Sequence, residues 1–188
     1  AECLRGVEHK SWKAIYFRRT SPELQQEIIP RAEALIRSIE GLERSRWSQQ
    51  YGRWTFPSGA RLTFSHLEQE KDKHKHRSAE YTLVAFDELT TFTEGQYRYL
   101  LTRLRNSHGL TPLVRAGTNP GGPGHDWVFK RWRPWLDPHY KIPNWQSLGL
   151  SGPRPAPGEK LWYLTHPETG EDIWVPPGTP GALSRCFH

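Results

Sequence analysis

Leu83-Val84-Ala85-Phe86 runs directly into Asp87-Glu88, and this junction constrains the fold more than any other stretch of the chain. Four consecutive apolar residues, in place of an alternating pattern, predict a strand covered on both faces, as inside a parallel sheet. Two carboxylates cannot share that burial, so the strand must end where the sheet meets water. Residues 12–17, rich in aromatic and β-branched side chains, predict a second strand, and residues 111–116 a third, also buried. Helical spacing lies between them. Leu24, Ile28, Leu35, Ile36 and Ile39 recur at helical intervals toward Gly41, with Ser21 placed to cap, Pro22 at the first helical position and Pro30 expected to kink or split the helix. Tyr97, Leu100, Leu101 and Leu104 predict a helix over 93–105 with Thr93 as its N-cap, and 125–132 reads as a short helix opened by a Gly-rich turn. Strands alternating with helices argue for an α/β domain with a mainly parallel sheet.

The rest of the chain is less regular. Residues 51–65 alternate around Pro57-Ser58-Gly59, the pattern of a hairpin, and the charge-dense stretch 68–77 reads as a solvated loop. Beyond residue 137 prolines punctuate the sequence, leaving strands at 161–165 and 172–175 and a hairpin across Glu168-Thr169-Gly170. This divides the 188 residues into a domain at 1–137 and a Pro/Gly-rich extension or linker at 138–188. Hydrophobic residues at 35%, with nine Trp, suffice for a core. The two cysteines, Cys3 and Cys186, exclude a disulfide framework and fit a reducing, intracellular setting. No run approaches 18 apolar residues, so no membrane span is expected. Met is absent, which points to a chain beginning inside a longer reading frame. A formal charge of +6 permits an anionic partner without requiring one.

Chemistry concentrates at strand ends. In a nucleotide-hydrolysing sheet, Asp87 would serve the magnesium shell and Glu88 would polarise the attacking water; alternatively, the pair is a solvated strand end that caps the next helix. Thr118-Asn119-Pro120 ends the next strand, expected to lie beside the acidic one and bring the two to the same rim, where polar side chains are placed to sense a terminal phosphate, or where the chain simply turns. Arg18, Arg19, Arg77, Arg103 and Arg105 are candidates for phosphate or DNA contact, against the plain reading of solvated arginines. His66, His74 and His76 match no zinc spacing. Trp127, Trp132, Trp135 and Trp145, interleaved with Lys130, Arg131 and Arg133, fit either a base-stacking surface or a small core.

Taken together, several stretches resemble the ATPase domain of the large subunit of tailed-phage terminases, the motor that moves DNA into viral capsids. They are Ile15-Tyr16-Phe17-Arg18-Arg19-Thr20 with Pro22-Glu23-Leu24, Phe56-Pro57-Ser58-Gly59-Ala60, Phe86-Asp87-Glu88-Leu89 and Tyr99-Leu100-Leu101-Thr102-Arg103-Leu104-Arg105. The most distinctive is Thr118-Asn119-Pro120-Gly121-Gly122-Pro123-Gly124-His125-Asp126-Trp127. The likeness is good over about 12–135 and loose beyond.

That resemblance implies a P-loop NTPase-like fold of the RecA or ASCE type. It makes Asp87 the Walker B acid associated with Mg2+, Glu88 the catalytic base and Thr118-Asn119 the coupling motif. Arg77, eleven positions before Glu88, falls where some members carry an arginine finger acting on a neighbouring subunit. Implied partners are double-stranded DNA, a homo-oligomeric ring on the capsid portal and the terminase small subunit, in the host bacterial cytoplasm, with no membrane. A phosphate loop of the form G-x-x-x-x-G-K-[ST] does not occur in this sequence; in the family it precedes the strand at 12–17, which places it before Ala1 and leaves the sheet an unpaired edge. Leu183-Ser184-Arg185-Cys186-Phe187-His188 resembles the start of the segment leading to a nuclease domain. The chain is thus expected to be a fragment of a motor that uses Mg2+ and ATP at full length, binding neither tightly and not hydrolysing ATP alone. The alternative is a non-catalytic prophage remnant that binds nucleic acid or another partner through its basic, Trp-rich surface.

Overall fold

Six strands of the first part of the chain form one sheet: β1 (Lys13–Arg18), β2 (Arg46–Ser48), β3 (Arg53–Thr55), β4 (Arg61–His66), β5 (Leu83–Phe86) and β6 (Leu113–Ala116). Their order is β2-β3-β4-β1-β5-β6. The computed structural model describes Leu4, residues 6–105 and residues 109–187, in two units, 1–125 and 126–188. Cys3 lies outside the described residues.

In the first unit β4, β1, β5 and β6 run parallel, and β2 and β3 extend the sheet as antiparallel strands. The architecture is α/β with a mostly parallel, mixed sheet flanked by helices. β1 and β5 are covered on both faces, as their apolar runs require: Ile15, Phe17 and Val84 have no exposed surface. On one face the helical run 21–38 lays Leu24, Ile29 and Ile36 over Ala14, Leu62, Phe64 and Leu83. On the other, Phe17 stacks on Phe86 at 5.6 Å, Phe86 meets Phe92 at 5.3 Å and Tyr97 at 5.5 Å, and His76 stands edge-on to Phe17 at 5.0 Å. Each such aromatic contributes about 2–3 kcal/mol by leaving water.

Several local expectations hold and several are corrected. The hairpin across Pro57-Ser58-Gly59 joins β3 to β4. Helix α3 (Glu94–Leu101) is capped by Thr93, whose Oγ1 accepts from the Gln96 amide at 3.0 Å while Gln96 Oε1 accepts from the Thr93 amide at 3.1 Å. It stops four residues short of Arg105. Thr20, not Ser21, is the N-cap of α1 (Ser21–Glu23). The break expected at Pro30 falls just before it, as a π-helical stretch over Leu24–Ile28, after which α2 (Ile29–Ser38) takes Pro30 in its first turn where no N–H is required. The strand at 111–116 is half exposed, because β6 sits at the sheet edge; Leu113 is 41% exposed. Stretch 68–77 is no solvated loop: it holds a 3-10 helix, Glu70–His76, that buries Asp72 and His76.

In the second unit, α4 (His125–Leu136) runs past 132 with Trp132 off helical geometry two residues before Pro134. A three-stranded antiparallel sheet follows, ordered β8-β7-β9, from β7 (Leu161–Thr165), β8 (Asp172–Val175) and β9 (Leu183–Arg185). The β7–β8 hairpin crosses 168–170; β2 and β9, three residues each, had no sequence signal of their own. Trp135 is buried with Ile142, Leu148, Leu150 and Leu161, and Trp132, Trp145 and Trp174 pack against them. The Arg185 guanidinium lies 4.2 Å from the Tyr163 ring centroid and 2.8 Å from Asp172 Oδ2. Most of the tryptophans therefore serve a core.

Candidate functional site

Three parallel strands end in one layer. Phe17 of β1 is in register with Phe86 of β5, and Phe86 with Ala116 of β6, so Arg18, Asp87 and Gly117 follow side by side at the carboxyl ends. Backbone bonds continue the ladder past the strands: the Asp87 amide donates to Phe17 O at 2.9 Å and the Gly117 amide to Phe86 O at 3.0 Å. The chain passes from β1 to β4 on one side and then crosses to β5 on the other. Such a reversal at a central strand opens a crevice beyond the carboxyl ends, the usual place for a ligand in open α/β sheets.

Arg18 dominates the electrostatics of this rim. Its Nη1 lies 2.6 Å from Asp87 Oδ2, its Nη2 3.2 Å from Glu88 Oε1 and its Nε 3.3 Å from Glu23 Oε2. Partial burial works against the guanidinium's charge, but the Asp87 and Glu88 carboxylates outweigh it and raise its pKa above the ordinary value. Only 13% of the Arg18 side chain is exposed.

Glu88 has φ +52° and ψ +63°, a left-handed conformation that glycine adopts freely and that strains a residue with a Cβ. Its carbonyl accepts from the Thr91 amide and from Thr91 Oγ1, both at 2.8 Å, which holds the turn. The Leu89 amide donates to Gly117 O at 2.9 Å.

Thr90 then ties the acidic strand end to the next one. Its amide donates to Thr118 Oγ1 at 3.2 Å, Thr118 Oγ1 donates to Thr90 Oγ1 at 3.1 Å, and Thr90 Oγ1 donates to Asn119 O at 3.2 Å. The Gly124 amide donates to Thr90 O at 2.7 Å. Gly122, at φ +82°, passes so close that a Cβ there would sit 2.9 Å from Thr90 O. Sequence reasoning missed Thr90; the signal available was a hydroxyl pair, Thr90-Thr91, one residue beyond the acidic pair.

The arginine candidates separate. Arg18 is at the rim. Arg19 Nη1 donates to Leu67 O at 2.6 Å and to Gln96 Oε1 at 3.2 Å, so it fastens the end of β4 to α3. The Arg103 amino group Nη1 donates to Arg77 O at 2.6 Å and its guanidinium lies 5.3 Å from the Tyr99 ring. Arg105 Nη1 bonds Thr102 O at 2.9 Å. The backbones of Arg103 and Arg105 bracket Tyr81, ahead of β5, and Arg77 lies four residues before it. Six extended residues separate Tyr81 from Asp87, roughly 20 Å. Arg77, Arg103 and Arg105 therefore start from the opposite end of β5.

Asp87 and Glu88 supply hard oxygen donors of the kind Mg2+ prefers, and both side chains reach solvent, at 25% and 41% exposure. No group of three or more His, Cys, Asp or Glu able to hold a metal exists among the described residues.

The geometry agrees with a broader likeness. A sequence model of the family described as terminase large subunit, T4likevirus-type, N-terminal, matches residues 2–171. No curated protein matches the chain. With nine-tenths of its length matched, the chain belongs to the terminase large subunit family, as an N-terminal part of the T4likevirus type.

Proposed function

We propose that this chain carries the hydrolytic rim of a nucleotide-driven DNA-packaging motor, with Asp87 as the magnesium-associated acid, Glu88 as the base that orients water and Thr118-Asn119 as the corner that follows the state of the terminal phosphate. One observation carries the reading. Adjacent parallel strands deliver the acidic pair and the Thr-Asn corner to the same rim, joined through Thr90, with Glu88 held in a strained conformation.

Bound magnesium would neutralise charge developing on the transferred phosphate. Everything else falls to the chain's own side chains. Asp87 holds anionic oxygen at the end of β5, and Arg18 keeps it there in the absence of a cation. Glu88, fixed by its turn, presents a carboxylate able to accept a proton from water. A displacement of Thr118 or Asn119 reaches Glu88 through Thr90 and the intervening 3-10 turn Leu89–Thr91. Since the 188 residues contain no G-x-x-x-x-G-K-[ST] loop, the phosphate cradle comes from outside them, and β6, at the sheet edge, offers a strand-pairing site beside the Thr118-Asn119 corner. Arg77, exposed at the far end of β5, is offered to a neighbouring copy in a ring.

The test is ATP hydrolysis by a longer protein that joins this chain to a phosphate loop. Glu88→Gln should lower turnover by 10²-fold or more while leaving ATP binding in place. Unchanged turnover sinks the reading and favours a non-catalytic binding protein. The chain by itself should show no turnover.

A further inference from the structure

We propose that the sheet carries, at the end remote from the acidic pair, a surface that holds the phosphate backbone of duplex DNA, built from Lys13, Arg46, Arg53 and Arg61. The choice of DNA as occupant rests on the DNA-packaging reading above. The residues come together through strand register alone. Arg46 faces Thr55, Thr55 faces Arg61 and Arg61 faces Lys13, so one row crosses four neighbouring strands on one face. Two residues along, Arg53 faces Thr63 on that same face. Lys13, Arg46 and Arg61 are exposed, while Arg53 is half-buried.

Four features separate this patch from a surface of ordinary charge. β1, β2, β3 and β4 contain no Asp or Glu, so no carboxylate of these strands interrupts the row. None of the four cations makes an ion pair among the described residues, whereas Arg18, Arg37, Arg98, Arg133 and Arg185 all do. Arg53 Nε is buried without an acceptor, and its guanidinium lies 5.0 Å from the Tyr51 ring, which holds the group in place. Thr55 and Thr63 add hydroxyl donors between the cations, and hydroxyls beside guanidinium and ammonium groups are the donors that contact phosphate rather than base edges. Three strand spacings separate Arg46 from Lys13, about 14 Å, a length over which one DNA strand presents about four phosphates. The surface reads backbone and not sequence, as a motor that moves any DNA requires.

The experiment measures binding of a fluorescent 30-base-pair duplex to the chain across a series of salt concentrations. The variant Lys13→Gln/Arg46→Gln/Arg61→Gln is compared with Lys71→Gln/Lys141→Gln/Lys160→Gln, which removes equal charge elsewhere. The face variant should lower the slope of log K against log salt by about 2.7, with at least about tenfold weaker binding at 100 mM salt. The control should lose much less. On the unaltered chain, saturating duplex should protect the Lys13 amine from acetylation read by mass spectrometry, a measurement that stands even if the face variant does not fold. Equal losses in the two triple variants, a fully reactive Lys13 in the complex, or no binding at 50 mM salt each overturn the proposal. None of these outcomes touches Glu88, whose role is decided by hydrolysis alone.

Discussion

Arg18 Nη1 lies 2.6 Å from Asp87 Oδ2, one step beyond the register line on which Phe17 faces Phe86. Neither side chain is freely solvated, so each keeps the other's charge compensated. Arg18→Gln should cost about 1–3 kcal/mol in urea unfolding, because it strands a partly buried carboxylate. Asp87→Asn should cost a similar amount, and the double variant should cost less than the sum. Additive losses would show that the pair is not energetically coupled.

Glu88 should be a residue whose replacement stabilises the chain. A left-handed φ strains any side chain with a Cβ, so Glu88→Gly is expected to raise stability by up to about 1 kcal/mol, after the greater freedom of glycine in the unfolded chain is set against it. Glu88→Gln, which keeps the Cβ, should leave stability within about 0.5 kcal/mol of the original. A rise with glycine and none with glutamine, in thermal melts of both variants, is the expected pattern. Equal melting of both would contradict it.

Gly122→Ala should act in the opposite direction. The added methyl would lie 2.9 Å from the Thr90 carbonyl at a φ of +82°, so backbone must move and the Thr90–Thr118 bonds must adjust. A loss of about 1–3 kcal/mol follows. Gly121→Ala shares a positive φ but has open space around it, and should cost less.

His76 makes stability depend on pH. Its Nδ1 is 2.8 Å from the Tyr81 hydroxyl and its Nε2 is buried without a partner. Burial, with a smaller push from Lys75, lowers its pKa from 6.5 to about 4, and burial raises Tyr81 to about 12. The folded state prefers neutral imidazole, whereas the unfolded chain takes up a proton near pH 6.5. The stabilisation is therefore complete above pH 6.5 and fades as pH falls toward 4, by on the order of 2–3 kcal/mol. Urea unfolding at pH 7.5, 5.5 and 4.5 should show His76→Gln losing less stability over that range than the unaltered chain. Parallel curves would remove His76 as the cause.

Gln96 is fully buried and works as a junction. Its Nε2 donates to Gln69 O at 2.9 Å and Leu67 O at 3.3 Å, and its Oε1 accepts from the Thr93 amide and from Arg19. Gln96→Ala should cost about 2–4 kcal/mol, since it opens a cavity and leaves several buried polar groups unpaired. Thr93→Ala, which removes only the cap's hydroxyl, should cost about 1 kcal/mol.

The sequence determined the local units. The apolar run at Leu83–Phe86 could bury itself only between two layers, the Pro57-Ser58-Gly59 turn allowed little but a hairpin, and Thr93 with Gln96 specified a helix start, since each depends on neighbours within a few residues. The acidic pair and the Thr118-Asn119 corner were legible as strand ends for the same reason. Their meeting on adjacent strands was an expectation that the parallel pairing of β5 with β6 bears out, but because such pairing is set by contacts between distant segments, Thr90, the link between them, passed unnoticed. Nor could composition show that residues 70–76 bury Asp72 and His76: a charge-dense stretch usually faces water, and only the aromatic layer of Phe17, Phe86 and Tyr97 gives it a surface to fold against. The three-residue strands β2 and β9 are too short to carry a periodicity and exist because a neighbouring strand supplies their hydrogen bonds. Tertiary structure likewise sorted the arginines, engaging Arg18 with three carboxylates and leaving Lys13, Arg46, Arg53 and Arg61 aligned on one face, because register across strands is a property of the sheet and of no single segment.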